Sequence, residues 1–246
     1  MTVENLLRSI AVGYMHFNRV NSYKDFHEAD AHDGEQLPRD RPGNEGTKFE
    51  LAPEVSGADY YDQCRSRTYA CCFSLKNSEH IWESYANDSK RGKVCVVFDF
   101  SKLRTSLNQT LQPANAALEY NGKRCRQVFS LNYGIVEYVE WDRYQANAEH
   151  LPTPIKYTYL KNRKFSDERE LRVSLSAPGI GQFVMDGSVM DFRAGLQIHF
   201  DFKAAFADGT IQALLYAPDY DTGFLHAELL KMRIVPSDGG FGKQRC

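Results

Sequence analysis

The sequence predicts an α+β protein: a mixed or antiparallel sheet with a few flanking helices. Two observations carry that expectation. Strand-like runs outnumber helical ones and do not alternate regularly with them. The stretch Asp167 to Leu175, DERELRVSL, also reads with a period of two. Glu168, Glu170, Arg172 and Ser174 share one face, and Arg169, Leu171, Val173 and Leu175 share the other. Two carboxylates at i and i+2 stand roughly 7 Å apart, a spacing suited to orienting hydroxyls, binding a cation or acid–base work. Taken alone, the stretch reads as the solvated face of an antiparallel strand.

The composition narrows the function classes. The 246 residues are 42% hydrophobic and 25% charged, ordinary values for a globular protein. Thirty Lys+Arg against 32 Asp+Glu leave a net charge of −2, so no overall basic field invites nucleic acid. No apolar run approaches the roughly 20 residues of a membrane span. Met1 to Ile10 lacks a basic leader followed by an apolar stretch, so a cytoplasmic location is expected. The six cysteines form no C-x-x-C pair, which argues against a structural zinc site, and a disulfide framework is not expected either. The expected organisation is one domain over residues 1–236 and a tail over 237–246.

The elements follow in order. Val3 to Val12 is a helix with Leu6, Leu7 and Ile10 as its apolar stripe, ended by Gly13. Tyr14 to Val20 is a short strand carrying Tyr14, His16 and Arg19. Residues 28–67 are polar and broken by Gly and Pro, and they read as a long loop or insertion. Within and beside it His27, Asp30, His32 and Asp33 match no standard metal spacing, and no metal site is expected. Thr68 to Phe73 is a strand, with Asn77 or Ser78 capping a helix from Glu79 to Ser89. Ile81, Trp82, Tyr85 and Ala86 face inward on it. Val94 to Phe100 is nearly continuously apolar and reads as a central strand covered on both faces. Ser101 caps a helix through Leu107. Residues 128–141 are strand-rich, and a short helix after Pro152 and Pro154 holds Tyr157, Leu160 and Lys161. After the anchor strand come two or three strands between Phe183 and Phe202, and a helix from Lys203 to Asp208. A buried strand from Ile211 to Tyr216, a helix from Thr222 to Met232 and a strand at Ile234-Val235 complete the order.

Three segments together resemble a bacterial and phage family of unknown function. They are Cys72-Phe-Ser74-x-x-Asn77 through Trp82-x-x-Tyr85 to Gly92; Lys161-x-x-x-Phe165-x-x-Glu168-x-Glu170-x-Arg172; and Ile211-x-Ala-Leu-Leu-Tyr-Ala-Pro218. Two departures are visible. Asp25-Phe26-His27-Glu28 stands where the family usually reads Asn-Asp-Pro-Phe-Glu, and Phe165 stands where it has tryptophan. The layout of that family is similar to ADP-ribosyltransferases, which implies an ADP-ribosyltransferase-like fold and NAD as substrate. On that resemblance Glu170 holds the nicotinamide-side ribose and stabilises an oxocarbenium-like transition state, and Glu168 orients the accepting group. Ser74 braces the site, and Trp82 or Tyr85 packs beneath it. The NAD-holding strand would be supplied by Tyr14-Met15-His16 or by Arg65-Ser66-Arg67.

Three functions follow as expectations. The first is an NAD-dependent ADP-ribosyltransferase or NAD glycohydrolase, acting as a toxin or antiphage effector. It would modify a protein or nucleic-acid acceptor and have an antitoxin or immunity protein as partner. The second is a non-catalytic binding or regulatory domain of the same fold. The third is a metal-dependent nuclease using Glu168 and Glu170.

Overall fold

The computed structural model describes residues 1–25, 29–146, 153–185, 187–216, 220–235 and 241–243. Phe26-His27-Glu28, Pro152, Ala217-Pro218 and most of the 237–246 tail, all used in the sequence reading, lie outside them. The α+β expectation holds: helices accompany a seven-stranded antiparallel sheet and several smaller sheets, with no closed barrel. The large sheet runs in the order Lys123–Cys125, Leu118–Tyr120, Gly195–His199, Tyr14–Arg19, Thr68–Ser74, Glu170–Ser176, Ser130–Ile135. The chain divides into two compact units, each discontinuous in sequence.

The first unit comprises Met1–His16, Asn77–Gln127 and Gln197–Cys246. Its helix Val3–Val12 is capped by Thr2, whose hydroxyl accepts the Asn5 N–H at 3.1 Å, and it ends at Gly13 in the left-handed region. Val3, Leu6 and Ile10 are buried on its inner face. The helix expected from Glu79 to Ser89 stops at Ser84, because Tyr85 is extended and Ala86 turns left-handed with φ 58°. None of its residues is fully buried, so the inward stripe expected there is only half covered. The strand Val94–Phe98 is an edge rather than a centre. Ile211–Tyr216 lies between it and Phe241–Lys243, and only Val94 is buried. The following helix runs Phe100–Gln109 and is capped by Asp99, not Ser101. Ile234-Val235 forms no strand. After the helix Gly223–Lys231, Ile234 donates to Leu229 O and Arg233, with φ 59°, donates to Leu230 O. That pairing is a Schellman ending, and it turns the apolar Ile234 back under the helix instead of along a sheet.

The second unit comprises Phe17–Lys76 and Val128–Leu196. The stretch expected to be a long loop holds helices Arg41–Gly46 and Gly57–Ser66 and the strands Lys48–Phe49 and Ala52–Ser56. Ser56 and Asp59 form a capping box: the Asp59 N–H donates to Ser56 Oγ at 3.1 Å and the Ser56 N–H to Asp59 Oδ2 at 2.9 Å. Leu37 and Tyr61 from this stretch are buried against Val139, Trp141, Tyr157 and Leu160, which makes the segment part of a core. The helix after Pro154 ends at Thr158, and Leu160–Asn162 is a strand parallel to Glu137–Val139. The anchor strand also starts later than its alternation suggests. Arg163–Glu168 is a 3-10 turn, Arg169 is left-handed with φ 45°, and the strand runs Glu170–Ser176.

Candidate functional site

Glu170–Ser176 pairs on both edges, with Thr68–Ser74 and with Ser130–Ile135. Every residue in it is buried, so the face expected to be solvated is not. A charged row cannot stay buried without partners. The partners converge from three places. Arg172, 0% exposed, makes a two-pronged contact with each of two carboxylates. Its Nη1 and Nη2 donate to Asp33, the latter at 2.7 Å. Its Nε and Nη2 donate to Glu170, the latter at 2.9 Å. Nη1 also donates to Thr158 O at 2.7 Å. Lys161 Nζ lies 2.5 Å from Glu168 Oε2 and 3.3 Å from Glu170 Oε2, and 4.9 Å from the centre of the Phe165 ring. Two cations therefore face three carboxylates inside one unit.

The electrostatics follow from this crowding. Burial opposes the ionisation of Glu170, but Arg172, by charge and hydrogen bonds, and then Lys161 outweigh it and pull the carboxyl down to about 2. For Asp33 burial prevails over Arg172 and the carboxyl is raised. Burial works against the Lys161 ammonium, yet Glu170 and Asp33 hold it above its ordinary value. Uncharged groups complete the shell. Tyr138 Oη accepts the Glu170 N–H at 2.9 Å. Tyr159 Oη is 2.9 Å from Ser174 Oγ, one step along the same face from Arg172. Gly134 lies opposite Arg172, and a Cβ there would come within 2.7 Å of the Tyr159 ring, so a side chain at 134 would force that ring to move.

The sequence-derived site residues distribute unevenly. Glu168 and Glu170 both join the cluster, although Glu168 reaches it from the 3-10 turn rather than from a shared strand face. Ser74 lies opposite Glu170 in register. Its Oγ is 2.8 Å from the carbonyls of both Lys76 and Glu168, which ties the two strand ends together. Arg67 is elsewhere in the same unit, where its guanidinium donates to Gly179 O and Gly181 O and stacks over Phe192. Tyr14, His16, Trp82 and Tyr85 belong to the other unit. There the Trp82 indole donates to Asn77 at 2.6 Å, Tyr85 is exposed, and Tyr14 lines a shallow cleft.

Sequence reasoning misses Asp33, whose neighbourhood matches no standard metal spacing, and undervalues Lys161 and Arg172. The last two stand in the same block as the glutamates and were readable from it. Asp33 gave no local signal, because its partner is 139 residues away along the chain. Among the described residues no group of three or more His, Cys, Asp or Glu is arranged to hold a metal ion.

A family comparison covers part of this site. Residues 81–173 match the family described as protein of unknown function DUF2971. That span contains Trp82, Tyr85 and the whole Lys161-to-Arg172 block, and it corresponds to the unknown-function family seen in the sequence motifs. Asp33 and Ser74 lie outside it. No curated protein and no solved structure matches the chain, and no comparison carries the ADP-ribosyltransferase likeness.

Proposed function

We propose that this chain is a non-catalytic binding or regulatory domain, in which the Asp33–Arg172–Glu170–Lys161–Glu168 network holds the sheet together rather than turning over a substrate. One observation carries the reading. Glu170, the residue that the resemblance makes catalytic, is 4% exposed, with Oε1 engaged by Arg172 and Oε2 by Arg172 and Lys161. A carboxylate that stabilises a developing oxocarbenium ion needs room for the sugar beside it and an oxygen available to its hydroxyls. Here that space holds a guanidinium and an ammonium. The test is NAD turnover followed by proton NMR, with the expected result of no nicotinamide release. Release that disappears in Glu170→Gln, while that variant keeps the wild-type fold, would overturn the reading.

The second reading is the NAD-dependent ADP-ribosyltransferase or glycohydrolase, acting as an effector with an antitoxin or immunity partner. The observation in its favour is the register, which sets Ser74, given by the resemblance as bracing the site, against Glu170 on adjoining strands. On this reading the network would have to open before NAD could reach Glu170.

A further inference from the structure

The first unit carries a small cleft that the charge cluster does not involve. It is lined by Val12, Gly13, Tyr14, Glu119, Arg124, Gln197 and His199. Strand register builds it. Gln197 lies opposite Glu119, and Glu119 opposite Arg124, so the three form one row across neighbouring antiparallel strands. Side chains directly opposite share a face, with Cβ atoms about 5 Å apart. His199, two residues beyond Gln197, shares that face as well.

The row sets two opposite charges side by side. Some opposite charges on the surface close into ion pairs, as Arg41 and Asp62 do at 2.8 Å and Lys156 and Glu137 at 2.9 Å. Glu119 and Arg124 face each other in register, yet among the described residues neither side chain makes a hydrogen bond or ion pair. A concave site with a separated carboxylate and guanidinium has no net charge to attract a simple anion or cation. It is complementary to a ligand that carries both charges on neighbouring atoms.

We propose that this cleft binds a small zwitterion of the α-amino acid type, its ammonium at Glu119 and its carboxylate at Arg124, with Gln197, Tyr14 and His199 as uncharged polar contacts. Burial, and next the Arg124 charge, hold His199 below the ordinary histidine value against the pull of Asp201. Glu119 and Tyr14 are the other titratable groups lining the cleft. A neutral His199 adds no second positive charge beside Arg124, which keeps the site balanced for a dipolar ligand. A carboxylate seated on Arg124 offsets that charge and raises the His199 value. The inference stands independently of the function proposed above.

The test is an NMR titration of the full chain with the free amino acids one by one, then with the N-acetyl and amide forms of the best binder. Saturable shifts at Gln197, His199 and Arg124, with Kd below about 1 mM, are expected for at least one free amino acid. Blocking either end should weaken binding about tenfold, the loss of one charged contact. Glu119→Gln should remove the penalty for N-acetylation, and Arg124→Gln the penalty for amidation. Both variants lie on accessible positions, and unchanged shifts away from the cleft will show that they fold. The His199 pKa should rise on binding. Absence of any saturable shift up to about 10 mM, or equal binding of blocked and free forms, would overturn the proposal.

Discussion

Arg172 is the residue on which the buried cluster turns. Its guanidinium serves Asp33, Glu170 and the Thr158 carbonyl at once, from a position with no solvent contact. Arg172→Met would leave two carboxylates buried without their main partner, and a loss of about 3–5 kcal/mol in urea unfolding is expected. The two carboxylates also separate in titration. Glu170 is lowered, so the stability it contributes is fully present above the unfolded value of about 4.3 and is lost as pH falls toward about 2. Asp33 is raised, so its contribution runs the other way: it favours the folded state at low pH, below the unfolded value of about 3.9, and loses that effect as pH rises through its folded value. Carbon-detected titration should show Asp33 taking its proton at a higher pH than Glu170. The reverse order would mean that Arg172 serves Asp33 first.

At the scale of elements, short-range signals and long-range pairing part company. The helix Val3–Val12 was legible to its last residue, because its cap, stripe and glycine stop are all local. The Ser56–Asp59 capping box was equally local and was passed over, hidden by the Gly- and Pro-rich sequence around it. Ser56→Ala should lower stability by about 1 kcal/mol, readable as a shifted urea midpoint with unchanged slope. The strand Val94–Phe98 shows why an apolar run alone does not place a strand: its composition suits a centre, yet pairing leaves it at an edge. Gly134 gave no sequence signal, since its constraint is a ring from Tyr159 across the strand. Gly134→Ala should cost about 1–3 kcal/mol by overpacking, and pairing it with Tyr159→Leu should recover part of the loss. Full additivity of the two changes would mean that the ring does not limit position 134.

For the whole molecule, fold class and the charged block were readable, and the state of that block was not. Alternation in DERELRVSL marks the strand from Glu170 onward but not its true start, and alternation cannot say whether its polar face meets water or other charges. The answer came from Asp33 and Lys161, which reach the strand from segments read as loop and helix. The resemblance named Glu168, Glu170 and Ser74, and the structure gathers those three while adding the cations that occupy them. A functional carboxylate and an architectural one differ in what their loss does. Relieving a strained, solvent-facing catalytic group leaves stability unchanged or improves it, whereas removing one charge from a satisfied buried network lowers it.

The deciding measurement is therefore the unfolding free energy of Glu170→Gln against wild type at pH 7. A loss of about 2–4 kcal/mol is predicted, because Arg172 and Lys161 would each lose a charged partner in a buried setting. Equal or greater stability in the variant would contradict the account and return Glu170 to the role of a catalytic carboxylate.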